Sequence, residues 1–360
     1  MKLPTISFCL ISKNEEKNIK ECIEKVKPAV DEIIVLDTGS TDNTVKIAEE
    51  LGAKIGHFDW DDDFSKARNT AIEMATKDWI LFLDCDERLE AEDLALLKKT
   101  IANYGEEYVA VQQPINSITD DGGITSYRVT LFKRDPRIRY RGRVHETVSD
   151  SINEFKGKFL KVDVPVIHLG YRDKNSLIDK AINRNYKILK EEHEKDPNNV
   201  GVTIYLAKTE LSVLNNPQNA KKYLEEVLPR ENDMSVPQKT EMHFLLGYVN
   251  YLLKDEEKML GHWGKVLELD PKFPDVYWVC GRYFYDEKQF GTALAFFEQT
   301  IRTNGHFAQS QVVNFAYRRK DLYTFLEECS AKTGEFVKSI AWKYKEKQEE
   351  KKKNEQKISS

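Results

Sequence analysis

The sequence predicts an α/β domain built on a mostly parallel sheet, followed by an all-α domain of helical repeats. Through about residue 172, short apolar runs alternate with amphipathic stretches, the order expected of β-α-β units. The run Trp79 to Leu83 is apolar throughout, reads as a strand buried on both faces, and delivers two carboxylates, Asp84 and Asp86, at its end. Beyond Asn198 a helical pattern recurs at a period of 34 residues.

A chain of 360 residues fits two domains of ordinary size, and 40% apolar residues are enough for real cores. A net charge of -5 leaves no electrostatic footprint for nucleic acid. The apolar stretch near the N-terminus is too short for a membrane span or a signal peptide and reads as the first strand. Five cysteines without a C-x-x-C spacing point to reduced, buried thiols and a cytoplasmic protein.

Strands are expected over Thr5 to Ile11, Glu32 to Leu36, Ala53 to Phe58 and Trp79 to Leu83, with helices over Glu15 to Val26, Asn43 to Leu51 and Phe64 to Ala75 between them. The polar turns after these strands then line one edge of the sheet, where open α/β sheets bind ligands. In the second turn Gly39 permits a tight bend, and Ser40, Thr41 or Asp42 can cap the next helix. Asp37 ends a buried Ile-Ile-Val-Leu run and needs a donor, such as a base N–H or a ribose hydroxyl. Arg68 sits early in a helix, where the dipole disfavours a cation, so it is expected to pair with a carboxylate or a ligand. Asp61 to Asp63 read as helix-start charges.

Asp84 and Asp86 are two apart. On an extended chain they project to one side with Cα atoms about 7 Å apart, a pair of hard oxygen donors suited to Mg²⁺ or Mn²⁺ held against a phosphate. Without the buried strand before it, the same triplet would read as a solvated acidic turn.

LDTGSTD, the FSKARN segment and LFLDCDE, in this order and at these spacings, resemble the nucleotide-sugar-binding half of family 2 glycosyltransferases, which have the GT-A (Rossmann-like) fold. The resemblance covers about residues 4 to 172. It implies a nucleoside diphosphate sugar as donor, UDP-linked by family habit, and a divalent cation, Mn²⁺ or Mg²⁺. Asp37 would accept from the nucleobase, Arg68 would lie near the base, Asp84 near ribose or metal, and Asp86 would ligate the cation. Ser12, at the end of the first strand, and Arg143 complete the candidate donor contacts. A cation beside the leaving diphosphate is also the largest electrostatic aid such a transfer can use.

Tyr108 to Gln113 and Tyr127 to Lys133 read as strands flanking a polar loop over Asn116 to Ser126. Arg137, Arg139, Arg141 and Arg143 then alternate, either as a solvated edge or as neutralisers of a diphosphate. His145 and Glu146 follow as catalytic candidates. The resemblance implies an acidic base in this region and inverting transfer, which makes Glu146 the base, with Asp120 or Asp121 as the alternative. Val164 to Gly170 reads as the last strand of this half. His168 on it is either a packed histidine or, as in relatives of this family, a metal ligand that favours Mn²⁺.

A helix over Leu177 to Lys195 joins the halves, giving a linker at 173–197, repeats at 198–335 and a charged helical or disordered tail at 336–360. Gly247, Tyr251 and Trp263 recur as Gly281, Tyr285 and Phe297, and an earlier copy carries Ala207 and Tyr223, with extra residues around Glu231 to Pro237. This resembles the tetratricopeptide repeat, whose concave face serves peptide binding or dimerisation. The combination resembles the bacteriocin-modifying glycosyltransferases, which implies a peptide or protein acceptor; it also resembles family members that build lipopolysaccharide core or other cell-surface glycans, which implies a glycan acceptor. The reading from another class is a repeat-based interaction protein with a catalytically dead nucleotide-sugar sensor.

Overall fold

The computed structural model describes residues 3–118, 124–170, 181–303 and 319–358, in two compact units that divide near residue 174. The first unit opens with β1 (Ile6–Ser12), α1 (Ile19–Val26), β2 (Glu32–Asp37), α2 (Thr44–Glu50), β3 (Lys54–His57), α3 (Phe64–Met74) and β4 (Trp79–Phe82). It continues with β5 (Glu87–Arg88), α4 (Ala91–Tyr104), β6 (Ala110–Ser117), β7 (Ile124–Lys133), α5 (Ser149–Glu154), β8 (Phe159–Lys161) and β9 (Val166–His168). Among the described residues these strands form one sheet in the order β3-β2-β1-β4-β7-β6-β9-β5, with β8 paired to β6. The β1 to β4 ladders are parallel, and β7 runs antiparallel to β4. This is the GT-A-like α/β architecture that the motifs imply.

Strand periodicity of two sorts the core between the two faces of this sheet. Ile6, Phe8, Leu10, Ile33, Val35, Trp79 and Leu81 pack with Ile19, Ile23, Leu94 and Leu97 of α1 and α4. The intervening Cys9, Ile34, Leu36, Ile80 and Phe82 pack with Ala67, Ala71 and Ile72 of α3. Strands covered on both sides must be apolar at every position, which is why β1, β2 and β4 read as continuous apolar runs. The even-numbered side of β4 therefore looks toward α3.

Element bounds differ from expectation mostly at ends, but two differences matter. The helix expected from Glu15 begins at Ile19, because Glu15 instead starts a turn that accepts from the Asn18 and Ile19 amides. The alternating arginine segment is irregular rather than extended: Arg141 and Thr147 exchange backbone hydrogen bonds of 3.0 and 3.1 Å across a loop in which Gly142 and His145 take positive φ. Alternation survives only in part, with Ile138 and Tyr140 buried on either side of the half-buried Arg139 and with Arg137 and Arg141 exposed.

The second unit consists of helical hairpins. After a π-helical turn at Ala181–Tyr186 and a helix at Lys187–Lys195, successive helices run Val200–Ser212, Pro217–Val227, Val236–Leu252, Glu256–Leu269, Pro274–Asp286, Phe290–Thr303, Arg319–Lys332 and Phe336–Ile358. The earlier part of the expected joining helix, and the loop aspartates Asp120 and Asp121, lie outside the described residues. A tetratricopeptide-like repeat accounts for the recurrence in physical terms. A Cβ on Gly247 would stand 2.2 Å from the Trp263 indole, and one on Gly281 would stand 2.6 Å from the Phe297 ring. The glycine lets the first helix of each hairpin close onto the large aromatic of the second, and both rings are fully buried. The extra residues before the second copy form a 3-10 segment at Leu228–Asp233. The tail expected to fray is a continuous helix.

Gly247→Val should destabilise the second unit by roughly 2–4 kcal/mol, since neither backbone nor indole can retreat. Gly261→Ala, in a helix with open space at that position, should stabilise it by about 0.5–1 kcal/mol. Urea denaturation followed by tryptophan fluorescence distinguishes the two; equal effects would contradict the close approach.

Candidate active site

The C-terminal ends of β1, β2 and β4 lie side by side, and the register pairs Ser12 with Asp37. The turns beyond β1 and β2 are tied together, because Asn14 donates its amide to Ser40 Oγ at 2.9 Å and accepts from the Thr41 amide at 2.8 Å. Asp42 accepts from the Thr44 amide at 3.0 Å at the start of α2. Asp37 is buried as expected, but its need for a donor is met locally: Gly39 N at 3.1 Å and Ser40 N at 3.0 Å both donate to it. The inference that burial of Asp37 requires an external donor is therefore corrected. Gly39 at φ +101° makes this tight turn feasible. Among the described residues Ser12 Oγ is buried with no hydrogen-bond partner, a donor group left over at the same edge.

Asp84 follows β4 on the side that faces α3, and α3 brings Arg68 to it. The Arg68 guanidinium donates Nη2 to Asp84 Oδ1 at 2.8 Å and Nε to Glu146 Oε1, and it lies over the Phe82 and Tyr140 rings at 4.8 and 5.2 Å. Asn69, the next residue, pins the Tyr140 backbone through two hydrogen bonds of 3.0 and 2.9 Å. That contact fixes where the segment leading to Glu146 runs. Although burial works against its charge, Arg68 stays protonated because Asp84 and Glu146 flank it. Burial likewise pushes Asp84 up, but Arg68 and Arg128 outweigh it and hold the carboxyl well below its ordinary range. Removing either carboxylate would strand a buried cation, typically at a cost of about 3–5 kcal/mol.

The expectation that Asp84 and Asp86 project together from an extended chain is not met. Glu87 N donates to Asp84 O at 2.9 Å, closing a turn. Cys85 points inward and is buried. After the turn, the two-residue β5 pairs Glu87 with His168 of β9, and Leu169 N donates to Asp86 O at 2.9 Å. Asp86 consequently meets His168, with Oδ2 3.3 Å from Nε2, while Ser117 Oγ lies 3.1 Å from His168 Nδ1. Burial lowers the His168 imidazolium, but the Asp86 hydrogen bond and charge raise it above its ordinary value overall. A Cβ on Gly170 would lie 2.2 Å from Asp86 Oδ2 and 2.8 Å from His168 Nε2, so the backbone is part of this cradle.

No group of three or more His, Cys, Asp or Glu side chains poised around a metal occurs among the described residues. Asp86 and His168 together nevertheless fit a divalent ion that takes its remaining ligands from phosphate oxygens and water, the usual arrangement for Mg²⁺ or Mn²⁺ beside a nucleotide. Arg143 donates to the Asp62 carbonyl at 3.2 Å, and its own carbonyl accepts from Phe64 N at 2.8 Å at the start of α3. Arg137 pairs with Asp135 at 2.6 Å and Arg141 with Glu154, so these two behave as a solvated edge with local acids. His145 is exposed, with φ +58°. Arg128 joins the cluster without a sequence signal of its own, and Glu87, next to the aspartate pair in the chain, joins it too. Arg128 on β7 contacts Asp84 at 3.4 Å and also pairs with Glu87, which is fully buried and accepts from the Asp84 amide at 2.9 Å. The β4–β7 register carries the signal for Arg128, but it depends on knowing that these strands pair.

Residues 7–162 match the family described as Glycosyl transferase family 2. That match lies within the first unit, over the strands and turns that carry Asp37, Arg68, Asp84 and Asp86. The chain is 41% identical over 173 residues to a TPR repeat-containing protein of Synechococcus elongatus, covering 46% of this chain and 42% of the relative. It is 31% identical over 225 residues to the SPbeta prophage-derived glycosyltransferase SunS of Bacillus subtilis, covering 61% of this chain and 52% of the relative. The chain thus spans about half the length of these relatives. Among solved structures, TarS of S. aureus, in complex with UDP-GlcNAc, covers 72% of this chain and 90% of its own at 14% identity, with a TM-score of 0.46.

Gly170→Ala should force Asp86 and His168 apart and weaken Mn²⁺ binding at least about tenfold while the melting temperature stays within a few degrees. Titration of the variant by manganese electron paramagnetic resonance checks this; wild-type affinity would mean that the cradle has no part in holding a cation.

Proposed function

We propose that this protein is a metal-dependent, inverting glycosyltransferase acting in the cytoplasm, which moves a sugar from a nucleoside diphosphate sugar, with uridine as the base, to a peptide, protein or glycan acceptor. What supports this reading is the Asp84–Arg68–Glu146 chain of ion pairs beyond β4, together with Asp86 and His168 as a two-ligand cradle for a divalent ion, in a segment that matches family 2. Ser12 and Asp37 would receive the nucleoside at the β1 and β2 edge. Asp86 and His168 would hold the cation, which supplies charge to stabilise the departing diphosphate. Glu146 would take the acceptor proton as the new glycosidic bond forms and the bond to the diphosphate breaks. Arg68 orients Glu146 through their ion pair. The helical hairpins would bind the acceptor or mediate a homodimer.

A second reading is a nucleotide-sugar-binding repeat protein without transfer activity. It is favoured by the engagement of Glu146 with Arg68, which occupies one of the carboxylate oxygens a base would use.

Glu146→Gln separates the two. Its amide oxygen still accepts from Arg68, so donor binding should persist while transfer falls by about 10²–10⁴-fold. Calorimetry with UDP and a transfer assay against the same acceptor measure both quantities. Full transfer by the variant would remove Glu146 from the base role. Asp86→Ala should lose metal-dependent nucleotide binding with the fold retained by circular dichroism, and undiminished binding would remove the metal-site reading.

A further inference from the structure

Each oxygen of the Asp84 carboxylate faces a guanidinium group. Arg68 holds Oδ1 at 2.8 Å and Arg128 approaches Oδ2 at 3.4 Å. The two guanidinium groups are not equivalent. Arg68 is buried, its planar face lies on two aromatic rings, and it has a second carboxylate in Glu146, so it cannot leave without stranding charge. Arg128 is more than a third exposed at the side chain and reaches Asp84 by the longer contact. Its place follows from the ladder: the register Leu81↔Leu131, continued in step past the end of β4, sets Arg128 opposite Asp84. Its other partner, Glu87, is buried and also accepts from the Asp84 amide, so Arg128 stands on a fixed acidic floor.

The charge balance points the same way. Asp84, Glu87 and Glu146 face two guanidinium groups, Arg68 and Arg128, and Asp86 beside them faces the His168 imidazole, so carboxylates outnumber guanidinium groups. A bare diphosphate would be repelled, whereas a divalent cation would be attracted. A cation that takes Asp84 as well as Asp86 must displace the cation already there, and the displaced arginine is then within reach of phosphate oxygens.

We propose that Arg128 is an exchangeable counter-ion whose Nη1 occupies Asp84 when the site is empty and turns to the diphosphate of the donor when a divalent cation takes Asp84, while Nη2 stays on Glu87. Its planar fork suits the exchange, with one nitrogen on Glu87 and the other on Asp84 before it and on a phosphate oxygen after it. Arg128 is thereby both a competitor of the metal and a ligand of the nucleotide. The proposal rests on the glycosyltransferase reading above and adds to it the ordered loading of cation and diphosphate.

The test uses the full chain and two probes, Mn²⁺ alone and UDP in saturating Mn²⁺, on wild type, Arg128→Gln and Arg128→Lys. Arg128→Gln should bind Mn²⁺ alone more tightly and UDP more weakly, each by at least about fivefold, the low end of ordinary coupling between sites. Arg128→Lys, which keeps the charge but loses the fork, should fall between. A purely structural arginine would shift both affinities in the same direction or neither, and that result overturns the proposal. Should Arg128→Gln fail to fold because Glu87 is left unpaired, the double variant Arg128→Gln/Glu87→Gln removes cation and buried partner together, and the same opposite shifts are required of it. If wild type binds Mn²⁺ and UDP but no variant shows opposite shifts, the counter-ion role fails while the family reading stands. If wild type binds neither probe, both fail.

Discussion

The first unit depends on one buried guanidinium. Arg68 joins three separate parts of the chain: α3, which carries it; the end of β4, through Asp84; and the irregular segment after β7, through Glu146. A cation in that position is expensive unless every face is satisfied, and here two carboxylates and two aromatic rings do so. The irregular segment has no ladder to hold it beyond the Arg141–Thr147 bridge, so the Arg68–Glu146 pair and the Asn69 contacts to Tyr140 give the loop its path. Geometry at the strand ends is thus set by charge pairing laid over a hydrophobic scaffold.

That scaffold divides the work between its two faces. The face toward α1 and α4 carries an apolar pack that fixes the spacing of the strands. The face toward α3 ends in chemistry, because Asp84 continues the even-numbered side of β4 just where α3 presents Arg68. The turn after Asp84 then breaks the alternation and hands Asp86 to β9. Two neighbouring carboxylates consequently have different partners, one arginine-bound and one histidine-bound, and they can take different roles within a single ligand. The second unit is built on a simpler rule, a glycine opposite a large ring, repeated with the hairpin period.

Some of this was legible in the chain before any coordinates. Continuous apolar runs marked the buried parallel strands, since a strand covered on both faces has no polar alternation to show. The 34-residue recurrence of Gly247 and Trp263 as Gly281 and Phe297 marked the hairpins, because a packing contact that needs a particular pair of residues must restate both. The position of Arg68 early in a helix correctly called for a carboxylate partner. By contrast, the buried Asp37 was thought to lack donors, and its own turn supplies them: backbone amides are present in every sequence and leave no trace in residue identity.

The sequence by itself determined the fold class, the repeat and the set of acidic and basic residues that gather at the strand ends, because these follow from local periodicity and from motifs a few residues long. Tertiary structure alone decided which residue faces which. Arg128 meets Asp84 through the antiparallel register of β7, and His168 meets Asp86 through a two-residue strand too short to have a periodicity. Pairing across a sheet is a property of two distant segments at once, and neither segment alone encodes it.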